Sequence, residues 1–114
     1  MYKRQGEGRL HRRFAELLER DYARHHDTSH YAEALGVPQA TLSRALAAVT
    51  GRTTKDLITD RVMLEAARLL RFTDHSVNEI AFATGFQDQL YFSRAFKRRL
   101  GEAPTAYRKR LRAR

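Results

Sequence analysis

Few residues in this sequence are equipped to make or break bonds. There is no cysteine, which excludes thiol nucleophiles, thiolate metal sites and disulfides together. No carboxylate pair reads as a general acid and base, and no glycine-rich phosphate loop is present. His25, His26 and His30 carry metal-ligating atoms, but their place at a helix break reads as solvent-facing rather than as a metal site. What abounds is cationic hydrogen bonding. Lysine and arginine number 22 against 13 aspartates and glutamates, a net charge of +9. Most of these cations are arginine, whose planar guanidinium grips phosphate or guanine through two parallel hydrogen bonds. Such an excess suits a polyanion. The chemistry expected is recognition, with no enzymatic activity, cofactor or metal.

Glutamine, serine and arginine recur together twice at helical spacing. One set is Gln39, Ser43 and Arg44, and the other is Gln89, Ser93 and Arg94. A period of 3.6 places Gln39, Ala40, Ser43, Arg44 and Ala47 on the outer face of one helix. It places Gln89, Leu90, Ser93, Arg94 and Lys97 on the outer face of another.

The elements that hold these faces are all helical. There are only two prolines and six glycines, and no sustained alternation of period two. Residues 1–8 read as a loose leader. Leu10, Phe14, Leu17, Leu18 and Tyr22 predict a first helix from about Arg9 to Arg24. Asp27 is a plausible N-cap for a second helix, Thr28 to Leu35, which stops at Gly36. Pro38 suits the first position of a third helix, which runs to about Val49 and stops at Gly51. The longest helix spans 54–71, with Leu57, Ile58, Val62, Ala66, Leu69 and Leu70 as its buried stripe. Ser76 and Glu79 predict a capping box for the fifth helix, which ends at Gly85. Asp88 caps the sixth, which ends at Leu100 before Gly101. Pro104 opens a short seventh helix to residue 110 that carries Tyr107. Five of the seven residues from Arg108 to Arg114 are basic, and this segment, with a basic tail over 111–114, is expected to fray.

These elements repeat at a spacing of 49–50 residues. Asp27 to Val37 aligns with Ser76 to Phe86, so Ala32 falls on Ala81 and Gly36 on Gly85. After one extra residue in the second copy, Leu42-Ser43-Arg44-Ala45-Leu46 falls on Phe92-Ser93-Arg94-Ala95-Phe96. Each copy reads as a helix-turn-helix, with a small residue where the helices cross and a glycine at the turn. Tyr31, Leu35, Val37, Leu42 and Leu46 form the expected inner face of the first. Ile80, Phe86, Phe92 and Phe96 form that of the second. The fold class is therefore all-α, with seven helices, two helix-turn-helix subdomains (27–51 and 76–101) and a long connecting helix.

The stretch SVNEIAFATGFQDQLYFSRAFKRRLGEAPTAYR, from Ser76 to Arg108, resembles the C-terminal DNA-binding domain of AraC/XylS transcription regulators. RVMLEAARLL, from Arg61 to Leu70, is similar to that family's connecting helix. The resemblance covers Asp27 to Arg110. Leu90 departs from the small polar residue common before the Tyr-Phe pair, Pro38 from the Ser common at the start of the third helix, and Ala103 from the Ser or Thr frequent before Pro104. The resemblance implies that the third and sixth helices enter the major groove of double-stranded DNA. It implies base or near-base contacts at Ala40, Ser43, Arg44, Gln89, Leu90 and Arg94, and the outward positions of Gln39 and Ser93 add them to the expected base readers. Phosphate contacts are expected from Thr41, Arg52, Lys97, Arg98 and Arg99 and from free N–H groups at helix starts.

A connecting helix of about 18 residues at ~1.5 Å each spans roughly 27 Å, against ~34 Å between successive major-groove faces. One monomer is thus expected to read two adjacent groove segments. The resemblance also implies an activator that recruits RNA polymerase. The rival readings are a nonspecific architectural DNA binder and a helix-turn-helix protein-interaction module. No stretch reaches the roughly 18 apolar residues of a membrane span, and no signal segment follows Met1, so the expected location is cytoplasmic. A dimerising domain is expected only if the chain belongs to a longer regulator.

Overall fold

The computed structural model describes residues 2–113, with side chains from Gly6 onward. Seven helices follow in order: α1 (Tyr2–Asp21), α2 (Thr28–Leu35), α3 (Gln39–Thr50), α4 (Thr54–Phe72), α5 (Val77–Ala83), α6 (Gln89–Leu100) and α7 (Pro104–Arg112). Among the described residues no strand occurs. The chain divides into two units, residues 1–61 and 62–114, with the boundary inside α4.

In the first unit the local signals act as their chemistry dictates. Asp27 holds an extended backbone and its side chain accepts from the His30 N–H, satisfying one of the helix's orphan donors. Gly36 ends α2 at φ 72°, a left-handed conformation that costs glycine little. The Val37 N–H then returns to the Ala32 carbonyl at 3.0 Å, which closes the turn into α3. α3 buries Leu42, Ala45 and Leu46 and leaves its other face in solvent. The core beneath it contains Phe14, Leu17, Leu18, Tyr31, Leu35 and Ile58. Tyr31 is fully buried, with its ring edge-on to Phe14 and its hydroxyl donating to the His25 carbonyl at 2.8 Å. Burial, with the nearby Asp21 and Asp27 charges, pushes that hydroxyl's pKa well up.

Two expectations fail here. The histidines do not face solvent: all three are half-buried, and the His25 and His30 rings stack with centroids 3.6 Å apart. His30 Nε2–H donates to Asp21 at 2.7 Å, because the α1–α2 connection folds back to cover Tyr31. Among the described residues no group of three or more side chains could hold a metal ion. The expected loose leader is also helical, since α1 begins at Tyr2 rather than Arg9. Gly6 and Gly8 each disfavour helix by roughly 1 kcal/mol. Once the packed turns from Phe14 onward exist, however, each further residue adds a hydrogen bond without a new nucleus. Met1 lies outside the described residues.

The second unit repeats the plan with aromatic packing. Ser76 and Glu79 form the expected capping box, each side chain bonding the other's backbone N–H. The Phe86 N–H returns to the Ala81 carbonyl at 2.8 Å, the counterpart of the Val37 bond. Phe86, Phe92, Phe96 and Tyr107 make successive ring contacts at 5.2–5.9 Å. The C-terminal basic residues do not fray as expected. α7 continues to Arg112, and Arg108 donates to the carbonyls of Leu70 (2.8 Å) and Thr73 (3.2 Å). Arg112 donates to the carbonyls of Arg71 and Thr73 and to Asp74. These groups lie at and just beyond the end of α4, where carbonyls lack intrahelical donors and attract cations. Arg114 lies outside the described residues.

The two glycine classes predict opposite mutational signs. Gly36→Ala should destabilise by about 1–2 kcal/mol, because it places a Cβ in the left-handed region. Gly8→Ala should stabilise by about 0.5–1 kcal/mol, since a Cβ there meets nothing within 4 Å and α1 gains propensity. Urea midpoints at constant m-value read both signs.

Acid should also loosen the fold. The Arg20 hydrogen bond, then that from His30, holds the Asp21 carboxyl well below the usual range. Ser29 lowers Asp27, and the Ser76 N–H lowers Glu79. All three pKa values are depressed on folding, so their stabilisation is complete above about pH 5 and is lost as pH falls through the unfolded and then the folded values. Urea midpoints should fall between pH 5 and pH 2, and Asp21→Asn should flatten that decline.

Candidate nucleic-acid interface

Each candidate reading face follows from what its helix buries. With Leu42, Ala45 and Leu46 turned inward, α3 presents Gln39, Ala40, Ser43 and Arg44 together on an exposed face. Thr41 lies at the margin and is half-buried. With Phe92 and Phe96 inward, α6 presents Gln89, Leu90, Arg94, Lys97, Arg98 and Arg99, all exposed, while Ser93 is half-buried. Arg44, Arg94, Lys97 and Arg98 have no ion-pair partner among the described residues. An exposed guanidinium with no internal anion keeps its donors available to an external one.

Arg52 is placed differently from the other cations. Its guanidinium meets Asp60 at 2.8 Å at the α3–α4 connection, and the pair is only partly exposed. A phosphate would have to compete with that carboxylate. Arg108 and Arg112, which composition alone groups with the DNA-facing cations, are engaged at the end of α4.

The two faces differ in charge. α6 has Lys97, Arg98 and Arg99 in its last turn, whereas α3 has no basic residue there. Those cations also complement the negative end of the α6 dipole. The helix starts differ in the opposite sense. Pro38 gives α3 no side-chain cap, so its first amides keep their donors. Asp88 accepts from the Leu90 N–H at 3.1 Å and brings a negative charge to the start of α6.

Three residues of this surface were not legible as site residues. Thr28 Oγ1 donates to Gln39 Oε1 at 2.9 Å. Thr54, itself buried, shares a 3.3 Å hydrogen bond with Ser43. Tyr91 is 62% exposed beside Leu90, with its ring edge-on to Phe86. Helical periodicity could have flagged Tyr91, which stands one residue from the buried Phe92. Nothing periodic joins Thr28 to Gln39 or Ser43 to Thr54.

Two exposed helices, each seated on a short partner helix through a tight turn, define a protein with paired helix-turn-helix units. A family model described as a helix-turn-helix domain matches residues 31–110. The transcriptional activator RhaS of Yersinia pestis is 33% identical over 105 residues, covering 92% of this chain and 38% of RhaS. The C-terminal domain of AraT, a response regulator from Geobacillus stearothermophilus, superposes with a TM-score of 0.84 at 32% identity, covering 89% of this chain and 84% of that one. The DNA-binding domain of the global transcriptional factor AdpA, solved in complex with a target DNA, gives 0.81 at 31% identity, covering 91% and 93%. This chain belongs to the AraC-type helix-turn-helix family, whose members are transcription regulators and not enzymes. It spans about two fifths of the length of the curated relatives it matches.

The sorting of cations can be measured. Arg108→Met should lower stability by about 2 kcal/mol, because two carbonyls lose a charged donor. It should leave the salt dependence of DNA binding unchanged. Lys97→Ala should leave stability within about 0.5 kcal/mol and reduce the slope of log K against log salt by ~1. The reverse pattern would mean that the two side chains have been assigned the wrong roles.

Proposed function

We propose that this chain binds duplex DNA in a sequence-specific manner, with α3 and α6 each lying in a major-groove segment. The observation that carries this reading is the pair of exposed faces, each with an arginine, Arg44 or Arg94, that has no anionic partner among the described residues. Arginine reads guanine N7 and O6 with two donors, and Gln39 and Gln89 add amides suited to purine edges. Ala40 and Leu90 offer apolar contact to a thymine methyl. The AdpA domain, alike in fold and solved with a target DNA, supports DNA as the partner.

Phosphate contacts fall to Thr41, Lys97, Arg98, Arg99 and the uncapped start of α3, with Arg52 contributing where phosphate displaces Asp60. The last turn of α6 carries most of this charge, so the second unit supplies more of the electrostatic affinity. α3, poorer in charge, supplies mainly direct readout. The site read by one monomer is therefore two unequal elements without a palindrome.

Within a whole regulator this binding serves transcriptional activation, as the name of the relative RhaS suggests, and RNA polymerase is the partner we propose for it. No helix among the described residues is long and apolar enough to cross a membrane. The place of action is the chromosome, in the cytoplasm.

Selection from a random duplex pool should return one asymmetric motif in two parts. Arg44→Ala should weaken binding to that motif about tenfold or more, corresponding to loss of one bidentate base contact. Its affinity for random duplex should change far less. Equal affinity for selected and random duplexes would overturn sequence-specific binding.

A further inference from the structure

The two units contain equivalent glutamines, Gln39 and Gln89, each the first residue of its exposed helix. Their surroundings differ at several positions, and one of these differences bears directly on the amide. Thr28, the first residue of α2, donates its hydroxyl to Gln39 Oε1 at 2.9 Å. The corresponding first residue of α5 is Val77, which has no hydroxyl. Gln89 has no side-chain hydrogen bond among the described residues.

We propose that Thr28 is a positioning residue that orients the Gln39 amide as a donor and so sets its base preference to guanine, while the untethered Gln89 prefers adenine. This rests on the reading that both glutamines face base edges.

The chemistry follows from the two edges of the amide. A free glutamine is bidentate on adenine: Oε1 accepts from N6–H, and Nε2–H donates to N7. In the first unit Oε1 is turned back to Thr28, so the group facing outward is the Nε2 amine, a pure donor. Guanine presents two acceptors, N7 and O6, to that amine. Adenine would set its own N6 amine against it, donor facing donor.

The tether is held from both ends. Asp27 fixes the start of α2 through the His30 N–H, and the Val37-to-Ala32 bond fixes the turn into α3. Thr28 Oγ1 therefore stays near the Gln39 backbone. Thr28 is half-buried and stands off the reading face, so it acts through Gln39.

The test measures binding of this chain to four duplexes that differ only at the base pair whose discrimination Gln39→Ala abolishes. The wild type should prefer guanine there. Thr28→Val keeps the shape and removes the hydroxyl, and should shift the guanine-to-adenine ratio toward adenine by about tenfold. Thr28→Ser should retain the guanine preference. Preferences at every other position should stay as in the wild type, which a general loss of folding would not reproduce, and thermal melting checks the fold of each variant. A wild-type preference for adenine, or an unchanged guanine preference in Thr28→Val, overturns the role of Thr28 while leaving Gln39 as a base reader. If Gln39→Ala alters no position, the base-reading assignment of Gln39 fails and the proposal fails with it. In the second unit, Gln89→Ala should abolish a preference for adenine, and a guanine preference there also counts against the mechanism.

Discussion

A twelve-residue helix is marginal alone in water, and both candidate reading helices have this length. Each must bury a narrow apolar stripe to exist. In α3 the stripe is Leu42, Ala45 and Leu46, and in α6 it is Phe92 and Phe96. That burial determines everything on the opposite face. The residues left outside are polar or cationic, and their helical order is set by which neighbours went in. The turn that lets each helix reach its short partner depends on a glycine, at φ 72° in one unit and 95° in the other. Position and exposure of the reading faces are thus consequences of core packing, with no separate device needed to display them.

The same packing assigns the cations to different tasks. A net charge of +9 suggests one basic surface. In the folded chain the arginines divide into groups. Arg108 and Arg112 satisfy carbonyls at and beyond the end of α4. Arg52 pairs with Asp60, and Arg61 pairs with Glu19 while covering the Tyr22 ring. Arg44 and Arg94 remain without an anionic partner among the described residues. Charge composition predicts affinity for a polyanion, but only this division says which side chains can deliver it.

The repeat is equally double-sided. Its two copies share the small crossing residues Ala32 and Ala81, the turn glycines and the returning hydrogen bond from Val37 or Phe86. They differ at the starts of the two exposed helices. The first copy starts its reading helix with Pro38 and no side-chain cap, and the second starts with Asp88. The first tethers its glutamine, whereas the second has valine at the tethering position. Matching folds with unmatched edges fit the proposal that one monomer reads two different sequences.

Caps, glycine stops and apolar periodicity are local, which is why α2 and α6 have the limits that Asp27, Gly36, Asp88 and Gly101 imply. The family resemblance and the outward position of Gln39, Arg44, Gln89 and Arg94 were legible for the same reason, since helical period is a property of neighbouring residues. The helical start of α1 is not legible in the same way, because Gly6 and Gly8 speak against helix while cooperativity from the packed turns after them speaks for it. The shelter of the histidines is not local either, since it comes from the way the α1–α2 connection folds over Tyr31. Only the tertiary structure decided which hydroxyl meets Gln39 and which carbonyls meet Arg108. Those partners lie 11 and 38 residues apart, and a hydrogen bond forms only when the packing of whole helices brings donor and acceptor within about 3 Å.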